Sequence, residues 1–251
     1  MPRKLGQHFL VRDSILERLA LATCGEHTPR VVEIGSGKGA LTRHLLPHTD
    51  ELHGVELDAR LVRYLQQKYA AEPKLQVHHG DVLKTDLGKW GPAIITGNLP
   101  YYITSPIIEK FLELSPEFPL AVFLMQWEVA QRLLANPGTR DYGYLTVATR
   151  LVCDVELVSK VPAAAFVPPP KVDSGAVLFR RKIKESERTA ELLQFVSRCF
   201  TQKRKTLRNN LRTVYGTQID SVPEARLRAE QLSIPQFIDL HGRLAASTRP
   251  E

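Results

Sequence analysis

Short apolar runs alternate along this chain with longer stretches in which apolar residues recur at spacings of three and four. The runs at 30–34, 52–57, 75–77, 93–96 and 120–125 predict strands, and the periodic stretches near 12–24, 39–46, 58–70, 104–114 and 127–135 predict helices. A strand that is apolar on both faces is one covered on both faces, so this βαβ series predicts an α/β fold with a largely parallel sheet between helical layers. Two further strands are predicted at 153–161 and 175–181. Residues 166–173 between them carry three consecutive prolines and cannot be helical. The pair is expected to close the sheet edge as an antiparallel hairpin. Beyond residue 182 the pattern changes to charged helical segments near 186–200, 203–213, 223–231 and 235–246. The expected organisation is an α/β domain over 1–182 and a small all-helical domain over 183–251.

Composition narrows the class. The chain has 251 residues, 43% of them hydrophobic, enough for a sizeable core and incompatible with a disordered or collagen-like chain. With 34 Lys and Arg against 27 Asp and Glu, the formal charge is +7, a field that attracts polyanions and makes nucleic acid the leading partner. Cys24, Cys153 and Cys199 are far apart and show no zinc-ligand spacing, so reduced thiols and no metal are expected. The first residues lack the apolar core of a secretory signal, and no apolar run approaches the ~20 residues that span a bilayer. A cytoplasmic protein without a membrane anchor is expected.

The first strand runs into Gly35-Ser36-Gly37-Lys38-Gly39-Ala40, a glycine-rich loop that opens a helix, where open α/β sheets bind ligands. Gly35, Gly37 and Ala40 satisfy G-x-G-x-x-A, which keeps a dinucleotide dehydrogenase under consideration. The second strand ends near Glu56, whose carboxylate can accept from two ribose hydroxyls; the third ends near Asp81 and Val82, an acceptor for an adenine amine beside an apolar cover for the ring. S-adenosylmethionine and a dinucleotide share both groups. At the fourth strand end stands Asn98-Leu99-Pro100-Tyr101. Asn98 offers a side-chain carbonyl, Pro100 fixes φ and is expected to leave its own carbonyl free, and Tyr101 offers an aromatic face. Those three properties suit a nucleobase bearing an amino group, and nothing in the tetrapeptide serves hydride transfer.

With these residues assembled, the chain resembles the rRNA adenine N6-dimethyltransferase family, most closely its small-subunit branch. Gly6-Gln7-His8-Phe9-Leu10 is similar to the family's N-terminal motif, residues 33–42 to its glycine loop, residues 98–101 to its catalytic motif, and residues 166–172 to its post-catalytic loop. The resemblance implies a Rossmann-like methyltransferase domain with a helical appendage, S-adenosyl-L-methionine as donor, and two adjacent adenosines near the 3′ end of 16S rRNA as targets. It also implies that His8, Leu10, Gly35, Glu56, Asp81 and Asn98 line the cofactor site. His8 departs from the family's more usual asparagine.

On this reading Asn98 and Pro100 accept the two N6 hydrogens of an extruded adenine, while Tyr101 and Phe166 hold its two faces. Arg180, Arg181, Lys182, Lys203, Arg204, Lys205 and Arg208 are the expected phosphate contacts. The expected partner is 16S rRNA within an immature small ribosomal subunit, and the expected state is a monomer. A related branch methylates large-subunit rRNA with the same cofactor motifs; residues 202–211 and 226–237 are closer to the small-subunit branch. A non-catalytic assembly factor on the same fold is the competing reading from another class.

Overall fold

A computed structural model describes residues 8–182 and 187–246. Gly6 and Gln7 of the N-terminal motif, and the first residue of the helix expected at 186–200, lie outside the described residues. The strands are β1 (Phe9–Leu10), β2 (Thr28–Ile34), β3 (Thr49–Glu56), β4 (Leu75–His79), β5 (Ile94–Asn98), β6 (Leu120–Gln126), β7 (Cys153–Val161), β8 (Phe166–Val167) and β9 (Ser174–Arg181). The helices are α1 (Asp13–Cys24), α2 (Ala40–Leu45), α3 (Ala59–Lys68), α4 (Thr104–Glu113), α5 (Trp127–Leu134), α6 (Tyr144–Val152), α7 (Glu187–Cys199), α8 (Leu207–Tyr215) and α9 (Ile234–Ala246).

The main sheet has seven strands in the order β4-β3-β2-β5-β6-β9-β7. From β4 through β6 the pairing is parallel, and β9 runs antiparallel to β6. The antiparallel strand sits one place in from the edge, with β7 outside it. Parallel pairing follows from side chains buried on both faces: Val31, Val32, Leu52, Ile95 and residues 121–125 are all excluded from solvent. The order places β2 and β5 side by side although β3 and β4 intervene in sequence, so the chain switches direction across the sheet between them. At such a switch the strand ends splay apart and leave a crevice.

Two very short strands add a link that periodicity does not reveal. Antiparallel β1 and β8 pair Phe9 with Val167 and Leu10 with Phe166, tying the N-terminal motif to the post-catalytic loop.

The described residues cluster into two compact units: those up to 130 with 154–181, and 131–153 with those from 182 onward. Residues 131–153 thus group with the C-terminal helices, where a single division near residue 182 was expected. The cause is the apolar face of α6, unanticipated from sequence because Thr146, Val147, Thr149 and Val152 are β-branched residues that favour strands. Its Val147, with Tyr142, packs into a core formed by Phe195, Val196, Leu207 and Leu211. Within that unit the helix expected at 223–231 is two 3-10 turns, Pro223–Arg226 and Ala229–Gln231. Residues between the turns are extended because they pair with the start of α8: Leu207 N–H donates to the Leu227 carbonyl at 2.8 Å, and Thr206 bridges Arg228. Among the described residues no helix is long and apolar enough to cross a membrane.

Candidate active site

The carboxyl ends of β2, β3, β4 and β5 open onto one cleft, the place where open α/β sheets bind ligands. His8, Gly35, Glu56, Asp81, Val82, Asn98, Pro100 and Tyr101 all line it. These residues come from five separate stretches of sequence: four stand at or just after parallel-strand ends, and His8 is brought to them by the β1–β8 pairing and the hydrogen bond from Asn98 to its carbonyl.

At its cofactor-like side the cleft is built from carboxylates held by main-chain donors. Glu56 is only 4% exposed, and its two oxygens accept from the Gly37 and Asp58 N–H groups, each at 2.9 Å. A carboxylate has about four lone-pair sites, so two remain for a ligand. Asp81 accepts from Leu83 N–H through Oδ1 at 3.0 Å, which leaves Oδ2 as an acceptor, and both Asp81 and Val82 border the cleft. Gly35 and Gly37 have φ of +73° and +58°, the left-handed region, and a Cβ on Gly37 would come within 3.1 Å of the Phe9 ring. Gly37 does not itself line the cleft; its N–H orients Glu56 instead.

Leu10 also stands back. It is buried and borders a smaller cavity beside the cleft, together with Glu33 and Ser36. Glu33 lies under the glycine loop, where Thr42 Oγ1 donates to its Oε2 at 2.5 Å. Burial pushes its pKa up to about 7, against the pull of the Thr42 and Ser36 hydroxyls, and the nearby Glu56 charge adds to the rise.

The β5 end of the cleft carries the polar turn. Asn98 Nδ2 donates to the His8 carbonyl at 3.0 Å, which orients the amide and leaves Oδ1 as an acceptor. Pro100 corrects the sequence-based expectation: its carbonyl is already taken by Ile103 N–H at 3.1 Å and Thr104 Oγ1 at 3.2 Å, closing the turn that starts α4. The Leu99 carbonyl accepts no hydrogen bond from another described residue, while its N–H is spent on the Leu124 carbonyl. Leu99, unremarkable as sequence, therefore supplies the free main-chain acceptor.

Tyr101 is half-buried and pinned, its hydroxyl 2.9 Å from Ser174 Oγ. The His8 ring stacks against it with centroids 5.7 Å apart, and His8 Nδ1, the protonated nitrogen, donates to the Pro168 carbonyl at 2.8 Å. Phe166 is the second correction. It is 1% exposed, packed in the core with Leu10 and Leu16, and its ring cannot hold a base. The alternation of strand β8 turns it inward and leaves Val167 outside.

Arg181 is the third. At 7% exposure its guanidinium donates to the carbonyls of Phe111, Leu112 and Phe118 and lies 5.1 Å from the Phe111 ring centre, so it caps the end of α4 and offers nothing to phosphate. Arg180 is exposed on the same unit. In the other unit Lys182, Lys203, Arg204, Lys205 and Arg208 are exposed. Lys182 and Lys203 each donate to a carbonyl, of Arg150 and Arg140, and Arg208 pairs with Asp220 at 2.6 Å.

The three cysteines are buried and none is in a disulfide, and burial raises the Cys24 pKa to about 12 and that of Cys199 further, so neither of these two is a thiolate at neutral pH. Among the described residues no group of His, Cys, Asp and Glu is placed to hold a metal. What the cleft offers chemically is fixed acceptors at both ends, suited to binding an adenosine-like group at β3 and β4 and gripping an amine at β5.

Comparison with known proteins bears on that chemistry. Residues 1–245 match the family model described as ribosomal RNA adenine dimethylase. The sequence is 38% identical to ribosomal RNA small subunit methyltransferase A of Picosynechococcus sp., covering 97% of each chain, and 39% identical to the protein of that name from Chlorobium luteolum, covering 95% and 88%. Among solved structures it is similar to a dimethyladenosine transferase from Plasmodium falciparum, with TM-score 0.78, 29% identity, and 96% and 97% of the two chains covered. The 23S rRNA methyltransferase ErmE is similar with TM-score 0.70 and 29% identity, covering 94% and 99%.

Proposed function

The chain belongs to the ribosomal RNA adenine dimethylase family, and from that premise we propose how its cleft dimethylates the N6 amino groups of two adjacent adenosines near the 3′ end of 16S rRNA. The observation that carries the reading is the pair of unspent acceptors, Asn98 Oδ1 and the Leu99 carbonyl, at the end of a cleft whose other end holds Glu56 and Asp81.

The cleft fits S-adenosyl-L-methionine. Glu56 has lone pairs left for ribose hydroxyls, Asp81 has a free oxygen for the adenine amine, and Val82 covers the ring. When bound, that cofactor supplies a methyl group already activated on a sulfonium.

The remaining task falls to the protein. An adenine amino group is a poor nucleophile because its lone pair is delocalised into the ring. Two acceptors on its two hydrogens favour a pyramidal nitrogen with the lone pair directed out of the ring plane, an alignment worth several kcal/mol, on the order of what positioned dipoles supply elsewhere. Asn98 is suited to this because the His8 carbonyl fixes its amide; Leu99 is suited because Pro100 fixes the turn. After one transfer a single N–H remains, and one acceptor suffices for the second. The proton leaves after methylation, when the nitrogen has become acidic.

RNA phosphates meet Arg180, Lys182, Lys203, Arg204, Lys205 and Arg208, so binding weakens as salt rises. The partner is 16S rRNA inside an immature small subunit, read largely by shape, and the protein works as a monomer in the cytoplasm. Incubation with methyl-labelled S-adenosylmethionine and unmethylated small subunits tests this, with two adjacent dimethyladenosines near the 3′ end expected on mapping. Label on large-subunit RNA, or no label, overturns it. Equal rates on naked 16S rRNA and on subunits overturn the particle as partner.

A further inference from the structure

An extruded base needs an aromatic surface, and the residues expected to provide two of them are compromised here. Phe166 is buried in the core, and one face of Tyr101 is covered by the His8 ring. Tyr102 presents the opposite case. It lines the same cleft yet is 62% exposed, the highest exposure of any large apolar or aromatic side chain among the described residues. It follows directly on the turn that carries Asn98 and the free Leu99 carbonyl, and it lies in the short 3-10 turn Tyr101–Ile103 that Pro100 and Thr104 lock through the Pro100 carbonyl. A ring left open to water on a rigid turn at a ligand cleft costs little ordering entropy when it is covered.

We infer that Tyr102 is a base-contacting residue of this enzyme, the platform on which the target adenine stacks while Asn98 and Leu99 hold its amino group. The inference rests on the adenine-methylating reading above and extends it to a residue outside the Asn98-to-Tyr101 tetrapeptide. Stacking requires a π face and no hydroxyl, so the ring alone should matter.

The test compares Tyr102→Ala and Tyr102→Phe with the unaltered chain on unmethylated small subunits. Loss of one base-stacking contact predicts a fall of about 10–100-fold in kcat/KM for Tyr102→Ala. Tyr102→Phe should stay within about threefold of the unaltered chain. Cofactor affinity by calorimetry and melting temperature should be unchanged in both, because the side chain is exposed. Three results overturn the inference while leaving the proposed function intact: Tyr102→Ala turning over like the unaltered chain, Ala and Phe losing activity alike, or cofactor affinity falling in step with activity. Absence of methylation by the unaltered chain overturns the proposed function, and this inference falls with it.

Discussion

Glu56→Gln tests the cofactor end of the cleft with little change in shape. In the native protein both carboxylate oxygens are fixed at 2.9 Å from main-chain N–H groups. The amide keeps one acceptor and sets an NH2 donor against either the Gly37 or the Asp58 N–H, so one buried donor loses its partner. That loss costs about 1–3 kcal/mol of stability. For a chain of this size it lowers the melting temperature by about 2–4 °C per kcal/mol. Separately, the ribose loses an ionised acceptor, worth about 1.5–3 kcal/mol, which converts to a dissociation constant for S-adenosylmethionine weaker by about 10–150-fold. Calorimetric titration at a temperature where both proteins are fully folded separates the two effects. Asp58→Asn is the control: Asp58 caps α3 by accepting from Arg60 N–H and does not line the cleft, so its affinity should not move. A Glu56→Gln affinity within about threefold of the unaltered chain refutes the assignment, even if the melting temperature falls as expected.

Asn98→Ala should leave cofactor affinity nearly intact while lowering the single-turnover methylation rate by about 10²–10³-fold, the usual cost of one preorganised polar contact to a reacting group; near-normal turnover would remove Asn98 from the mechanism. Arg181→Met should destabilise the fold by about 3 kcal/mol in urea titration, since two carbonyls in the last turn of α4 and that of Phe118 lose their donor, yet leave RNA affinity and its salt dependence unchanged when measured on folded protein; a lower salt slope would return Arg181 to the RNA contacts. Glu33 has a folded pKa of about 7 against an ordinary 4.5, so the folded state holds its proton more tightly and the stability this group contributes is whole below about pH 4.5 and is lost as pH rises toward about 7. The change is on the order of 3 kcal/mol. Glu33→Gln removes it, so the stability gap between the two proteins should shift in the variant's favour from pH 5 to pH 8, and parallel pH profiles would show that Glu33 does not titrate in that window.

Much of the fold was legible because hydrophobic period is a local property. The five parallel strands, their flanking helices and the acceptors following each strand end could be read from runs and spacings alone, and the position of Glu56, Asp81 and Asn98 at successive strand ends is enough to gather them once the strands lie parallel. The motifs added the family, since four of them occur in order along one chain.

Other features depend on groups distant in sequence. Phe166 reads as an available ring until β8 pairs with β1 and turns it inward, against Leu10, 156 positions away in numbering. Arg181 reads as one of three consecutive cations, yet the twofold alternation of β9 sends Arg180 outward and Arg181 toward the carbonyls of α4. Which carbonyl of the Asn98-to-Tyr101 turn is free was decided by Ile103 and Thr104, whose donors occupy Pro100 and spare Leu99. The sequence by itself determined which residue types stand at the strand ends, because periodicity and turn chemistry are written within a few neighbouring positions. Tertiary structure decided which of their atoms remain unspent, because a hydrogen bond or a covered ring face is set by whatever the fold brings alongside it.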